Sequence, residues 1–312
     1  MHNVRYLRVI LTEKCNLNCF FCHKEGGNAY KWGKELAANE FCDCIRVLVK
    51  NGIKKIKFMG GEPTLYPQIC ELVYMINGLT PDLDISLISN GIASKEKYDD
   101  LIQAGVNRIN ISLHGYDKKK FMSVTKGTED QLKLVFENIE YLKKSSILGK
   151  INYVLLKGVN EREIFDVLKY VNTHDLVVDV LNYLGDDNVI KESLHYDFAE
   201  IEKMILDKCR INSIYVYKNP NSLDSNRLEL VNGGTVNLKV NRLSEVSFLK
   251  ACKKCKKTQW CEEGISAIRL NSRGVIQPCL FRDDLLFDLW SALQVDELDI
   301  VEAKVRDYLN EL

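Results

Sequence analysis

The side chains best placed for chemistry in this 312-residue sequence are cysteines. Three stand close together in Cys15-Asn16-Leu17-Asn18-Cys19-Phe20-Phe21-Cys22. Thiolates at this spacing on one loop can hold three corners of a [4Fe–4S] cube. The fourth iron then has no protein ligand, and an open coordination position is where a metal centre does chemistry. The bland alternative is three unrelated thiols, or a zinc loop short of one ligand. A second group, Cys252, Cys255, Cys261 and Cys279, opens with a Cys-x-x-Cys. Four thiolates suit a structural zinc ion. They equally suit a second [4Fe–4S] cluster, which is the expectation in a chain that already carries one. The other four of the 11 cysteines, Cys42, Cys44, Cys70 and Cys209, fall in amphipathic helical stretches and read as buried structural thiols. The odd count, with no charged-then-apolar leader at Met1–Arg8, argues against a disulfide framework.

These groups need a frame. Tyr6–Leu11 reads as a strand, and β-type runs follow at Lys55–Met59, Asp84–Ser89, Arg108–Leu113, Lys150–Leu156 and Val177–Tyr183. Helical runs alternate with them at Asn39–Lys50 (with Asn39 as cap), Tyr66–Asn77, Ser94–Ala104, Glu129–Lys144, Glu161–Asn172 and Asp197–Lys208. Strands followed by helices of this length make right-handed βαβ units and a parallel sheet. Six units predict an α/β fold, a partial (β/α)6 barrel instead of a closed eight-unit one. After about Ile211 the rhythm changes. Arg227–Val231, Asn232-Gly233-Gly234 and Thr235–Val240 read as a hairpin. Ile268–Asn271 and Val275–Gln277 form another, which carries Cys279 back toward its partners, and Val295–Leu312 is a terminal helix. The expected division is 1–215 for the barrel and 216–312 for a smaller iron–sulfur domain.

Barrels of this kind build active sites at the C-terminal ends of their strands, and the first cysteine group follows strand one. Strand two ends in Phe58-Met59-Gly60-Gly61-Glu62-Pro63. Its glycines let the backbone come close to a ligand, Pro63 stiffens the exit, and an acceptor here suits an ammonium group. Strand three ends in Ser89-Asn90-Gly91 and strand four in Ser112-Leu113-His114-Gly115. Both offer small polar groups to a ligand, or serve as ordinary turns. His114 can face the cavity or fill a turn. His23 is expected to pack beside Cys22. Tyr153 and Tyr183 fit core packing, with hydrogen-atom relay as the alternative. The run Lys253, Lys254, Lys256, Lys257 is a solvated loop or an anion site.

Taken together, the cysteine triad, Gly-Gly-Glu-Pro, Ser-Asn-Gly and the strand order resemble the radical S-adenosylmethionine (SAM) superfamily from about residue 4 to 210. The resemblance implies that Cys15, Cys19 and Cys22 hold a [4Fe–4S] cluster chelated by SAM. It implies SAM contacts at Phe21, Gly60, Gly61, Glu62, Pro63, Ser89, Asn90 and Ser112. Reductive cleavage of SAM would give a 5′-deoxyadenosyl radical that takes a hydrogen from a small-molecule substrate, with a flavodoxin- or ferredoxin-type electron donor. The pattern from Cys261 through Gly274 to Cys279 resembles the twitch auxiliary-cluster domain. Longer strings resemble the molybdenum-cofactor GTP 3′,8-cyclase family: Arg5-Tyr6-Leu7-Arg8, Cys22-His23-Lys24-Glu25-Gly26, Leu156-Lys157-Gly158-Val159-Asn160, and Ile268-Arg269-Leu270 running on to Pro278-Cys279-Leu280-Phe281. By that likeness Arg8, Lys157 and Arg269 lie near the substrate.

The departures are specific. Tyr66 stands where the family has an arginine three residues after Gly-Gly-Glu-Pro, and Arg269 alone matches its arginine-rich stretch, after Gly264-Ile265-Ser266-Ala267. Cys261 adds a fourth candidate ligand, and the chain ends Asn310-Glu311-Leu312 in place of Gly-Gly. Arginines bind triphosphate bidentately, so their loss argues against GTP. A fourth thiolate would close the second cluster into an electron relay, which favours a net oxidation. The expectation is a divergent relative with its own small substrate in cofactor or natural-product biosynthesis. A GTP 3′,8-cyclase, a peptide-modifying enzyme and a non-catalytic metal-stabilised binding protein are the alternatives. Basic and acidic residues balance at 43 each, so bulk charge predicts no nucleic-acid partner. No apolar run approaches the roughly 18 residues of a membrane span, and a cytoplasmic protein is expected.

Overall fold

The protein, seen in a computed structural model, is described over residues 6–22, 34–183, 193–218, 225–239, 250–253, 255 and 267–312. Cys261, His23, Arg5, Lys254, Lys256, Lys257 and Gly264-Ile265-Ser266 lie outside the described residues. Six parallel strands, β1 (Tyr6–Ile10), β2 (Lys55–Met59), β3 (Asp84–Ser89), β4 (Arg108–Ser112), β5 (Leu148–Leu155) and β6 (Val177–Asn182), lie side by side in chain order as a partial barrel. The returning helices are α1 (Ala38–Lys50), α2 (Ile69–Asn77), α3 (Lys95–Ala104), α4 (Lys118–Thr125), α5 (Glu129–Lys144), α6 (Ile164–Thr173) and α7 (Phe198–Lys208).

Caps explain most of the boundaries. Ser94 Oγ accepts from Lys97 N at 3.3 Å. Thr128 and Gln131 exchange side chain and backbone as a capping box at the start of α5. Asn39 is not the cap of α1. That helix begins one residue earlier behind Ala37, whose N–H donates to Glu40 Oε2 at 2.6 Å. Helix α4, absent from the sequence expectations, is only eight residues long and is capped by Asp117, which accepts from Lys120 N at 3.0 Å.

The sheet continues past both ends of the barrel. Strand β9 (Thr235–Lys239) runs parallel to β6 and carries the antiparallel β8 (Ser225–Leu230) and β7 (Ile211–Tyr217). At the opposite edge β10 (Ile268–Leu270) runs parallel to β1, followed by antiparallel β11 (Val275–Gln277) and β12 (Phe287–Asp288). The described residues thus form one 12-stranded sheet that both parts of the chain share. The terminal helix is two helices, α9 (Leu289–Val295) and α10 (Leu298–Glu311), with the short α8 (Lys250–Lys253) before them. Helix α10 is tied to α1 by Lys50 Nζ on Glu302 Oε1 at 2.6 Å.

Alternation along the strands divides the two faces. Leu7, Val9, Ile56, Phe58, Ile85, Leu87, Ile109, Ile111, Ile151, Tyr153, Val178 and Val180 face the helices, and all are fully buried. The other face is polar. Register sets Arg8 between Lys57 and Arg269, and Asp179 between Asn152 and Asn237. Along β1–β6 and β10 this inner face carries Arg8, Lys55, Lys57, Arg108, Lys150 and Arg269 against only Asp84 and Asp179. Arg108 grips Asp84 through two bonds of 2.6 and 2.7 Å. Lys150 pairs with Asp179, which also accepts from Asn237 Nδ2 at 2.8 Å. Burial and the charges of Lys150 and Arg8 push Lys57 down to about 7. Tyr6 Oη, Asn110 Oδ1, Asn237 Oδ1 and Gln277 Nε2 are buried with no hydrogen-bond partner among the described residues. Buried polar atoms left so are costly, and mark room for water or a polar ligand.

Candidate active site

The cysteine loop leaves the C-terminal end of β1 and is held on two sides by main chain. On one side the β2 exit lies against it: Gly61 N donates to Thr12 O and Glu62 N to Lys14 O, both at 2.7 Å. A Cβ on Gly60 would stand 2.5 Å from Thr12 O, and one on Gly61 would fall still closer to Lys14 O. The two glycines therefore admit the backbone of the cysteine loop itself, a more specific reason than approach to a ligand. On the other side Asn18 N donates to Thr125 O at 2.9 Å and Phe20 N to Val124 O at 3.1 Å. Helix α4 is thus the element of the site that sequence patterning misses. Its signal was the pair Gly115 and Gly127 around it, which pack too closely on Phe121 for any side chain.

Glu62 ties strand ends together beside the cysteine loop. Its buried carboxylate accepts from Thr64 N, Thr64 Oγ1, Ser89 Oγ and Asn90 N at 3.2, 2.7, 2.9 and 2.7 Å. It pins the ends of β2 and β3 together, and burial pushes its pKa up against those hydrogen bonds. Pro63 opens the 3-10 turn Pro63–Leu65 that follows. Asn90 reaches the cysteine loop, with Nδ2 donating to Asn16 Oδ1 at 2.6 Å and lying 3.9 Å from Cys15 Sγ. Ser89 is buried, and Ser112 ends β4 at the same side of the sheet.

Cys15 and Cys22 are exposed, and Cys19 is partly covered. Burial pushes Cys19 up to about 12, with Cys22 and Cys15 adding to it. Cys15 is raised by burial, then by Glu62 and Cys22. The three thiols therefore feel one another on one accessible loop. Among the described residues no three Cys, His, Asp or Glu side chains are gathered closely enough to share a single metal ion. Phe21 stacks edge-on to His114 at 4.8 Å and packs with Val124, Leu156, Val159, Leu194 and Tyr183 in a small core at the barrel mouth. Burial lowers His114 to about 4, so its ring is neutral, and Nδ1 has no partner among the described residues. Lys157 begins the turn after β5; its N–H donates to Leu194 O at 2.9 Å and its ammonium lies 5.5 Å from the Tyr196 ring. Tyr153 is core, its hydroxyl donating to Asn160 O at 3.2 Å, and Tyr183 is buried too. Tyr66 is also structural: its hydroxyl donates to Leu36 O at 2.8 Å and its ring meets Phe41 edge-on.

The second cysteine group lies elsewhere. Because β10 parallels β1 and β11 returns against it with Gln277 opposite Arg269, the chain at Cys279 is heading toward the N-terminal end of β1. The first group follows the C-terminal end. The two groups thus flank the polar inner face, with Arg8, Lys57 and Arg269 between them. Arg282 joins the second group's segments, donating to Ala251 O at 2.9 Å, next to Cys252, while its pKa is raised first by Asp284 and then by Cys255 and Cys279. Cys279 Sγ accepts from Phe281 N at 3.4 Å. Of the four remaining cysteines, Cys42 and Cys44 are buried as expected, whereas Cys70 and Cys209 are partly exposed.

The model of the Radical SAM superfamily matches residues 9–171. The chain belongs to the radical SAM superfamily. A probable GTP 3′,8-cyclase of Methanococcus aeolicus is 30% identical over 306 residues, covering 95% of this chain and 93% of that one. Another, from Pyrococcus abyssi, is 28% identical over 291 residues, covering 93% and 89%. This radical SAM protein is therefore a divergent relative of those cyclases, and an enzyme of the radical SAM class, whose cofactors are a [4Fe–4S] cluster and SAM. Its fold resembles that of Streptococcus suis SuiB bound to S-adenosylmethionine, with a TM-score of 0.65 at 18% identity over 98% of this chain and 69% of that one. It also resembles anSMEcpe with bound AdoMet and a Cp18Cys peptide, with a TM-score of 0.56 at 16% identity over 89% and 74%. No helix among the described residues is long and apolar enough to cross a membrane.

Proposed function

We propose that this radical SAM enzyme takes a small, anion-bearing molecule into the barrel and abstracts a hydrogen from it between two iron–sulfur clusters. The observation that carries the reading is the inner face, six basic side chains against two acidic ones, bounded at one end by Cys15, Cys19 and Cys22 and at the other by Cys279. When bound, the first cluster supplies the electron that splits SAM into methionine and a 5′-deoxyadenosyl radical, which takes the substrate hydrogen.

The residues of the chain do the rest. Cys15, Cys19 and Cys22 would hold three irons as thiolates, at a cost that the raised pKa values of Cys15 and Cys19 impose and metal binding would offset. Gly60, Gly61, Asn90 and Ser112, at the strand ends beside the cysteine loop, would suit the SAM amino acid and ribose. Phe21 would shield the adenine, with the unfilled ring nitrogen of His114 beside it. Arg8, Lys57, Lys157 and Arg269 would orient the anionic part of the substrate. Cys252, Cys255 and Cys279, with Cys261, would hold the second cluster as an electron acceptor in a twitch-like part spanning 216–312, next to the barrel of 1–215. A flavodoxin- or ferredoxin-type donor would reach Cys15 and Cys22 from the exposed side of their loop.

The test is anaerobic reconstitution followed by assay of 5′-deoxyadenosine with dithionite, with and without mixtures of small anionic metabolites. SAM cleavage that rises with one such fraction supports the reading. Cleavage that rises only with a peptide would replace the substrate class. A second substrate reading, GTP 3′,8-cyclisation, is favoured by the relatives' names. It predicts cyclised product from GTP, and Tyr66, committed to Leu36 and Phe41, argues against it.

A further inference from the structure

Helix α4 touches both the cysteine loop and the turn that follows β5, and neither the family match nor the motifs account for it. At its C-terminal end the carbonyls of Val124 and Thr125 accept from Phe20 and Asn18, inside the triad. At its N-terminal end Glu163, buried in the turn before α6, accepts from Tyr116 N at 3.2 Å and Asp117 N at 2.9 Å. Asp117 is the cap of the helix. Lys120, one turn further on, donates to Val159 O in the same turn. Val159 also belongs to the small core that buries Phe21 and Val124.

We infer that α4 is a strut through which the Lys157–Glu163 turn sets the position of the cysteine loop, with Glu163 as its positioning residue. A carboxylate that accepts two adjacent backbone N–H groups at a helix start fixes that helix along its axis. An eight-residue helix is stiff over its length of about 12 Å, so a shift at Glu163 appears at Val124 and Thr125. The small core closes the same link from the side, since Phe21 packs against the cluster that Val124 and Leu156 share. The inference rests on the proposal that the triad holds the SAM-binding cluster only for its effect on SAM; the mechanical part stands without it.

The test compares the full-length reconstituted protein with Glu163→Ala, Glu163→Gln and Lys120→Met. Amide hydrogen exchange over residues 16–22 is read by mass spectrometry, and SAM half-saturation is read from the change it causes in the reduced cluster's EPR signal. Glu163→Ala is expected to exchange about tenfold faster at 16–22 and to need about tenfold more SAM, the factor one lost charge-assisted hydrogen bond supplies. Exchange in α1 and α2 should be unchanged. Glu163→Gln keeps an acceptor and should recover most of both readouts, and Lys120→Met, which can fold even if Glu163→Ala does not, should give a smaller change in the same direction. Unaltered exchange at 16–22 in Glu163→Ala and Lys120→Met would overturn the strut. Parent protein that binds iron elsewhere and shows no SAM-induced change, yet keeps the exchange effect, would sink the cluster assignment and leave the strut standing.

Discussion

The two cysteine groups are held by different physics. Around Cys15, Cys19 and Cys22 the main chain does the holding: the β2 exit and the end of α4 together make four backbone hydrogen bonds of 2.7 to 3.1 Å to residues 12–20. Around Cys252, Cys255 and Cys279 main chain ties Ala251 N to Leu312 O and Cys255 N to Cys252 O, both at 3.0 Å, while a side chain, Arg282, joins Ala251 to the segment that carries Cys279. A loop fixed by neighbouring strands tolerates side-chain change but not backbone change. A site closed by chain segments distant in sequence depends on the few side chains that bring them together.

That contrast can be broken at either end. The largest effect is expected for Gly61→Ala, where a Cβ would overlap Lys14 O. Backbone must move, so we expect about 2–4 kcal/mol of lost stability and loss of the triad's iron, read by chemical denaturation and iron assay. Arg282→Gln should lower metal retention at the second group while leaving SAM cleavage in single turnover unchanged. Metal released equally from both groups would erase the contrast. Tyr66→Phe should be smaller, about 1 kcal/mol for the hydroxyl bond to Leu36 O, and should not alter substrate turnover. If turnover falls, Tyr66 faces the substrate after all.

A pH dependence separates the strut from the loop. Burial and the neighbouring Asp117 carboxyl raise Glu163 to about 7 from its ordinary 4.5. The folded state therefore holds that proton more tightly than the unfolded chain. Its contribution is fully present below about 4.5, is lost as pH rises toward about 7, and changes no further above that. Glu163→Gln should flatten this window in thermal unfolding scans, and an unchanged slope would remove Glu163 from the account.

Much of the barrel was legible because strand runs such as Asp84–Ser89 and capped helices such as Glu129–Lys144 carry local signals that packing reinforces. The mouth was legible too, since parallel strands must deliver their C-terminal ends to one side. What was not legible depended on distance or brevity. Helix α4 is too short to show a period. Strand β7, with Tyr215 and Val216 exposed, lacks apolar alternation of burial. The seat of β10 beside β1, which turns the chain at Cys279 toward the other end of the strands, is a pairing between residues 261 apart that no local pattern encodes. Glu62 adds a role that its motif does not spell out: its carboxylate binds Ser89, Asn90 and Thr64 and so ties two strand ends together.

The most direct test is iron and acid-labile sulfide per chain after anaerobic reconstitution, for the parent, for Cys15, Cys19 and Cys22 all changed to Ala, and for Cys252, Cys255 and Cys279 all changed to Ala. Two cubane clusters at opposite ends of one barrel predict about eight irons in the parent and about four in each variant, with SAM cleavage lost only in the first. Iron content and SAM cleavage left intact by the first triple substitution would contradict the account.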